Sequence, residues 1–358
     1  MVLALAVTAQ GQAGRLDRAN LLEYRAASGD IRPVRTVAEW KIRRAEILDA
    51  AQSIMGRVPG AAKRVPLDVR VDEEKDFGAY VRRLITYASE PGSRTPALLF
   101  IPKAALRDGA QVPGALALMG TGGYRLADHP AQADSAAMPH PGERLAARGI
   151  VAIAPAYPTL GFGARQHLRT AYAPDFNALG YASGTMKAIW DNMRALDLLE
   201  SLPFVRRGGF GAIGHSLGGH NSIYTAVFDP RITAIVSSCG FDSFLDYYSE
   251  VTPSVWLPGR GWTQDRYMPK LGGMAPRDIP FDFHELTGAL APRAFFVNAP
   301  VGDSNFKWRS VDRVTAAAAQ VYQLYGVPHL IRVVHPDAGH DFPPEVLEEA
   351  LVWMEAHL

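Results

Sequence analysis

Gly214-His215-Ser216-Leu217-Gly218-Gly219 follows a short apolar run, Gly211-Ala212-Ile213, and precedes a helix-like segment from His220 to Phe228. A serine flanked by small residues at this spacing suits a sharp strand-to-helix turn. Glycine on either side lets the backbone take angles that a Cβ would forbid. The serine hydroxyl is then lifted to where a histidine can reach it, and the following helix aims its positive N-terminal end at the same point. Ser216 is therefore the candidate nucleophile.

A nucleophile of this kind needs a base and an acid that orients the base, and a strand-turn-helix serine has them follow in the order serine, acid, histidine. His340, in Asp337-Ala338-Gly339-His340-Asp341, lies just after the apolar run Ile331 to Val334. Loops at the carboxyl ends of parallel strands are where reactive groups gather. His335 is the competing base. His215 and His220 flank the serine in sequence and read as packing or hydrogen-bonding residues. Asp303, in Val301-Gly302-Asp303-Ser304 after the run Ala294 to Asn298, is the candidate acid. Its role would be to hold one imidazole tautomer and to stabilise the imidazolium. Asp242, Asp337 and Asp341 are its rivals. An oxyanion formed on attack needs two backbone N–H groups. Leu217, after the serine, offers one, and Thr121, in Gly120-Thr121-Gly122-Gly123, offers the other.

Around this core the chain alternates strand and helix. A helix is predicted over Val37 to Gly56, strand texture from Val65 to Phe100, and a short buried strand over Ala115 to Leu118. A helix over His140 to Arg148 and a strand over Ile150 to Ala154 follow. The next helix, about Ser183 to Leu202, carries one apolar stripe of Met186, Ile189, Trp190, Met193, Leu196 and Leu199. After the elbow come a strand over Ile232 to Ser237 and then strand, helix, strand, helix over Ala294 to Asn298, Val311 to Tyr325, Ile331 to Val334 and Pro344 to Leu358. Repeated crossovers imply an α/β fold, a mostly parallel sheet with helices on both faces. Residues 37–358 read as one domain behind an N-terminal extension, 1–36. The irregular stretch from Phe241 to Ala291, rich in aromatic residues and proline, reads as a lid-like insertion. Trp256, Trp262 and Tyr267 within it are candidate substrate contacts, or the insertion's own core.

Composition narrows the partners. Among 358 residues, 37 lysines and arginines balance 36 aspartates and glutamates, so neither nucleic acid nor an anionic membrane is expected as partner. The single cysteine, Cys239, excludes an internal disulfide and reads as a buried small side chain. The apolar start, Met1 to Ala9, reads either as the remnant of a secretory signal, which would place the protein in the periplasm or outside the cell, or as a free terminus. No run reaches the ~18 apolar residues of a membrane span. No cluster has metal-ligand spacing along the chain, so no metal and no organic cofactor is expected.

The motifs Gly120-Thr121-Gly122-Gly123, Ile213 to Gly219, Gly302-Asp303 and Ala338-Gly339-His340 resemble those of α/β-hydrolases of the dienelactone hydrolase and acetyl xylan esterase-like group, over roughly Trp40 to Leu358. The resemblance implies a serine carboxylic-ester hydrolase with Ser216, Asp303 and His340 as its triad, acting on a small-molecule or carbohydrate ester. The chain departs from these relatives in three places. Met119 stands where many have histidine before the oxyanion turn. Dienelactone hydrolases proper use a cysteine nucleophile. Glucuronoyl esterases carry arginine directly after the serine, where this chain has Leu217. A serine peptidase on the same fold and a non-catalytic binding protein are the alternative readings.

Overall fold

Local signals start the first long helix. Thr36 Oγ1 accepts the Glu39 N–H at 3.2 Å and Glu39 returns a bond to the Thr36 N–H at 2.9 Å, a capping box that opens α1, Val37–Met55. Its Trp40, Ile47 and Ile54 are buried. The computed structural model describes residues 15–121, 140–158, 172–249 and 267–358. Before α1, the strands β1, Glu23–Arg25, and β2, Ile31–Pro33, form a small antiparallel pair. Arg18 clamps this N-terminal arm to the domain through Asp282, 2.6 Å away.

After α1 come the antiparallel strands β3, Arg70–Asp76, β4, Tyr80–Glu90, and β5, Ser93–Pro102. The alternation follows: β6, Val112–Leu118; α2, Pro141–Ala147; β7, Val151–Pro155; α3, Gly184–Ser201; β8, Val205–His215; α4, Leu217–Phe228; β9, Ile232–Ser238. A short helix, α5, Phe244–Ser249, and another, α6, Phe283–Gly288, precede β10, Ala294–Asn298. The chain closes with α7, Trp308–Leu324, β11, Ile331–Val334, and α8, Pro344–Glu355. Among the described residues, nine strands build the main sheet in the order β11-β10-β9-β8-β6-β7-β5-β4-β3. The six from β11 to β7 are parallel.

Parallel strands covered on both faces are apolar throughout, and β7 and β10 are buried at every position. Alternate residues feed two cores. Ala212, Ile153 and Phe295 join Trp40, Trp190, Tyr224 and Val314 on the face covered by α1, α3, α4 and α7. Ile213, Ala152 and Phe296 join Leu145, Leu347 and Leu351 on the face covered by α2 and α8. The strand β3, mostly charged and exposed, blunts the far edge. From β6 the chain moves outward to β7 and then returns to lay β8 on the other side. That reversal leaves a crevice at the carboxyl ends of β6 and β8, the position where open α/β sheets bind ligands.

Two regions add to the sequence reading. The stripe of α3 is buried, but so are the polar residues between: Lys187 and Asp191 are 0% exposed. Lys187 Nζ lies 2.5 Å from Asp191, 3.0 Å from Glu90 and 3.1 Å from Ser89 Oγ, and Tyr172 donates to Asp191 at 2.7 Å. In the insertion, Phe283 stacks on Phe241, and Phe244 meets Phe281 edge-on and Phe283 at a tilt, all within the core. The described flanks of that stretch are thus packing, while Trp256 and Trp262 lie outside the described residues.

Removing one partner of the α3 cluster strands the others without water. Asp191→Ala should lower unfolding stability by about 3–5 kcal/mol in urea titration. An exposed pair such as Arg57–Asp49 should tolerate the same change with little effect. Equal effects at the two sites would contradict the buried network.

Candidate active site

Ser216 sits between β8 and α4 with φ 55° and ψ −118°, a region that side-chain-bearing residues rarely occupy. Its neighbours show why the sequence needs glycine. A Cβ on Gly218 would stand 2.1 Å from the Leu118 carbonyl oxygen, and one on Gly214 would stand 2.3 Å from the Gly218 carbonyl carbon. The start of α4 therefore presses directly on the ends of β8 and β6. The Ser216 N–H donates to the Ser238 carbonyl at 2.8 Å, tying the strained residue to β9. Leu217 is the first residue of α4, and Thr121 is exposed one residue beyond Gly120. Gly120 packs against the His215 carbonyl, where a Cβ would lie at 3.0 Å. The two turns expected to offer oxyanion N–H groups are thus neighbours.

The acid and base come from loops that the backbone zips together. Ala299 N–H donates to Val334 O at 2.9 Å, Val301 to Pro336 at 3.0 Å and Gly302 to Ala338 at 3.0 Å. These bonds carry Asp303 to His340, whose Nδ1 lies 3.0 Å from both carboxylate oxygens. Asp303 also accepts the N–H groups of Asn305 at 2.7 Å and Phe306 at 3.2 Å. Burial alone would push its carboxyl pKa up. The hydrogen bond and charge of His340, with the two N–H donors, outweigh burial and hold it below the usual carboxylate range.

The rivals are engaged elsewhere. His335 bonds the Ala299 carbonyl and Asp312, both at 2.8 Å. Asp242 accepts the Lys307 N–H at 3.0 Å, and burial pushes its pKa well up. Asp337 is exposed, and Asp341 accepts the Phe342 N–H at 2.8 Å. Tyr267 is buried against Leu217 and meets Tyr157 edge-on, ring centroids 5.8 Å apart.

Sequence reasoning missed the residues beneath His340. Strand register aligns His215, Ser238, Asn298 and Val334 in one row across β8, β9, β10 and β11. Asn298 Nδ2 donates to Ser238 Oγ at 2.8 Å and to the Asp341 carbonyl at 3.0 Å, and Ser238 Oγ lies 3.0 Å from His215 Nδ1. The His215 ring, so fixed, packs 4.8 Å from the His340 ring. Cys239, buried as expected but at φ 45°, donates its thiol to the Asp341 carbonyl at 3.2 Å. Burial, and after it the Asp303 carboxylate, push its pKa well up. Polar residues ending otherwise apolar strands, Ser237-Ser238-Cys239 and Asn298, were the available signal.

Solved structures share this architecture. A glucuronoyl esterase from Solibacter usitatus superposes with a TM-score of 0.69 over 94% of this chain and 97% of its own, at 21% identity. A promiscuous CE15 esterase from a marine bacterial metagenome does so with 0.69, over 95% and 96%, at 15% identity. The chain has the α/β-hydrolase fold. Within this fold, the family profile described as "Glucuronyl esterase, fungi" matches residues 175–326. YtaP of Bacillus subtilis is 26% identical over 170 residues, 48% of this chain and 53% of its own length. The 4-O-methyl-glucuronoyl methylesterase 1 of Wolfiporia cocos is 24% identical over 193 residues, 48% and 45% respectively. The chain thus spans about half the length of these curated relatives.

Two buried imidazoles give the protein an acid liability. Burial drives His215 and His220 to about 3, assisted in His215 by His340 and opposed by Asp303, and in His220 opposed by a backbone bond with Gly240. A value depressed below the unfolded one, about 6.5, means that the unfolded chain binds the protons first. Stability contributed by each is complete above about pH 6.5 and falls as pH drops towards 3. The loss at pH 5 is about 2 kcal/mol per histidine. Melting temperature should therefore decline from pH 7 to 5, and His220→Asn should flatten the decline. A flat wild-type profile would contradict the buried neutral rings.

Proposed function

We propose that the protein is a serine hydrolase that cleaves carboxylic esters through an acyl-enzyme. The observation that carries this reading is the pair of short contacts between His340 Nδ1 and Asp303, at the carboxyl end of the sheet that also bears the strained Ser216. In this reading His340 removes the Ser216 proton as the hydroxyl attacks the ester carbonyl. Asp303 stays ionised, fixes the imidazole and stabilises its positive form. The Leu217 and Thr121 N–H groups receive the oxyanion. The alcohol leaves with the proton from His340, and a water activated by the same imidazole then releases the acid. None of these steps draws on a metal or an organic cofactor.

The names of the relatives favour a carbohydrate ester as substrate. Leu217 sets a limit on that analogy. Glucuronoyl esterases place an arginine next to the nucleophile, whereas here an apolar side chain packed by Tyr157 and Tyr267 lines that position. We assign the wall formed by these three residues to a neutral group beside the reacting carbonyl. Trp256 and Trp262, on the insertion, are proposed as further substrate contacts.

Kinetics with p-nitrophenyl esters and acetylated sugars tests the reading. Ser216→Ala should lower kcat by about 10⁴-fold or more, because nucleophile and base act as a unit. Asp303→Asn keeps the shape, removes the charge and should cost up to about 10⁴-fold. Asp242→Asn should stay near wild type, since its buried carboxyl is already pushed towards the neutral form. A crippled Asp242→Asn beside a near-normal Asp303→Asn would overturn the acid. Ser216→Ala with more than a tenth of the activity would overturn the mechanism.

A further inference from the structure

Three side chains from three separate strand ends meet beside the Asp303–His340 pair. His215 ends β8, Cys239 follows β9, and His340 lies on the loop after β11. One ligand atom from each, two imidazole nitrogens and the Cys239 sulfur, lie within 4.8 Å of one another. Among the described residues this is the one such group of three. The pieces are built rather than incidental. Ser238 Oγ bonds the His215 ring at 3.0 Å and is itself held by Asn298 Nδ2 at 2.8 Å, as outer partners orient a ligating histidine. The Asp341 carbonyl holds the Cys239 sulfur at 3.2 Å, and Asp303 holds His340.

We propose that His215, Cys239 and His340 form a binding site for a thiophilic divalent cation, such as Zn²⁺ or Cd²⁺, and that its occupancy switches the hydrolase off. Two imidazoles and one thiolate are the donor set that such ions prefer, with water in the fourth position. Tetrahedral zinc would bring nitrogen and sulfur to about 3.5 Å from one another, so the side chains close by about an ångström on binding. The metal–sulfur bond forms as the thiol proton leaves to solvent, and the cation takes a lone pair of His340 that the reaction needs. His340, with 23% of its side chain exposed, is the open side of the site. The cation is an inhibitor, distinct from a catalytic Lewis acid, because it occupies the base. The inhibitory consequence rests on the ester-hydrolase reading; the binding itself does not.

Cys239 is the only cysteine in the chain, so thiolate-to-cadmium charge-transfer absorption can come from no other residue. Purified full-length protein is titrated with Cd²⁺ while ultraviolet absorption and ester hydrolysis are followed. The wild type should gain the charge-transfer band at one equivalent and lose hydrolysis in parallel, with EDTA reversing both. Cys239→Ala and the closer-shaped Cys239→Ser should lack the band. Their half-inhibiting concentration should rise about 100-fold, since even an outer partner of a ligand is worth about 10–100-fold. A wild type without the band at saturating cadmium overturns the site, whatever the variants do. A band with equal inhibition of wild type and either folded variant overturns the switch and leaves His340 alone as the target. A band in a protein that hydrolyses no ester sustains the site and removes the proposed function instead.

Discussion

Close contact between Gly214, Gly218 and the end of β6 is the constraint on which the site depends. Backbone atoms of the elbow and of Leu118 approach to distances that no Cβ would permit. The strained Ser216, at φ 55°, persists because its N–H is bonded to β9 and the next residue opens a twelve-residue helix. Strain of this kind costs about 1–3 kcal/mol and survives only where the surroundings over-determine it. Here the surroundings are a sheet buried on both faces, whose two cores clamp β8 between α4 on one side and α8 on the other. The same contact brings the Thr121 turn beside the serine, so one packing requirement places both Ser216 and the second turn.

A second constraint works along the neighbouring strands. The loops after β10 and β11 are joined by three backbone bonds before either reaches its functional residue. Asp303 and His340 therefore meet through backbone geometry, and the carboxylate is kept ionised by donors on both sides. Below them the row His215, Ser238, Asn298 is a floor of polar groups at the ends of apolar strands. The floor orients a ring against His340 and leaves a thiol beside the same carboxylate. A single surface thus carries both the proposed ester chemistry and the proposed soft-donor cluster.

Much of this was legible before any coordinates. Ala294–Asn298 reads as an apolar run because both of its faces are covered, and both it and the edge strand Ile331–Val334 fall where the sequence places them. The helix α1 begins where its capping residues are. Ser216, Asp303 and His340 were singled out by turn chemistry and chain order, and each follows the carboxyl end of a parallel strand, with His340 bonded to Asp303. What could not be read depends on distant partners. The burial of Lys187 and Asp191 gave no local signal, since Ser89, which bonds Lys187, lies 98 residues earlier in the chain. His215 was set aside because the turn directs neighbours away from the serine; strand register turns its ring towards His340 instead. The three soft donors share no spacing along the chain, since each ends a different strand. Within the stretch from Phe241 to Ala291, the burial of Phe283 could not be read either, because its ring packs on Tyr224 of α4 and on Phe241.

The central claim is that Ser216 carries the acyl group between the two halves of the reaction. Intact-protein mass spectrometry after brief mixing with an activated, slowly hydrolysed ester reads this directly. The account predicts one added acyl mass, mapped by peptide fragmentation to Ser216, that decays as free acid appears and is absent after heat unfolding. Turnover without any adduct under conditions that trap the intermediate, or an adduct confined to another residue, would contradict it.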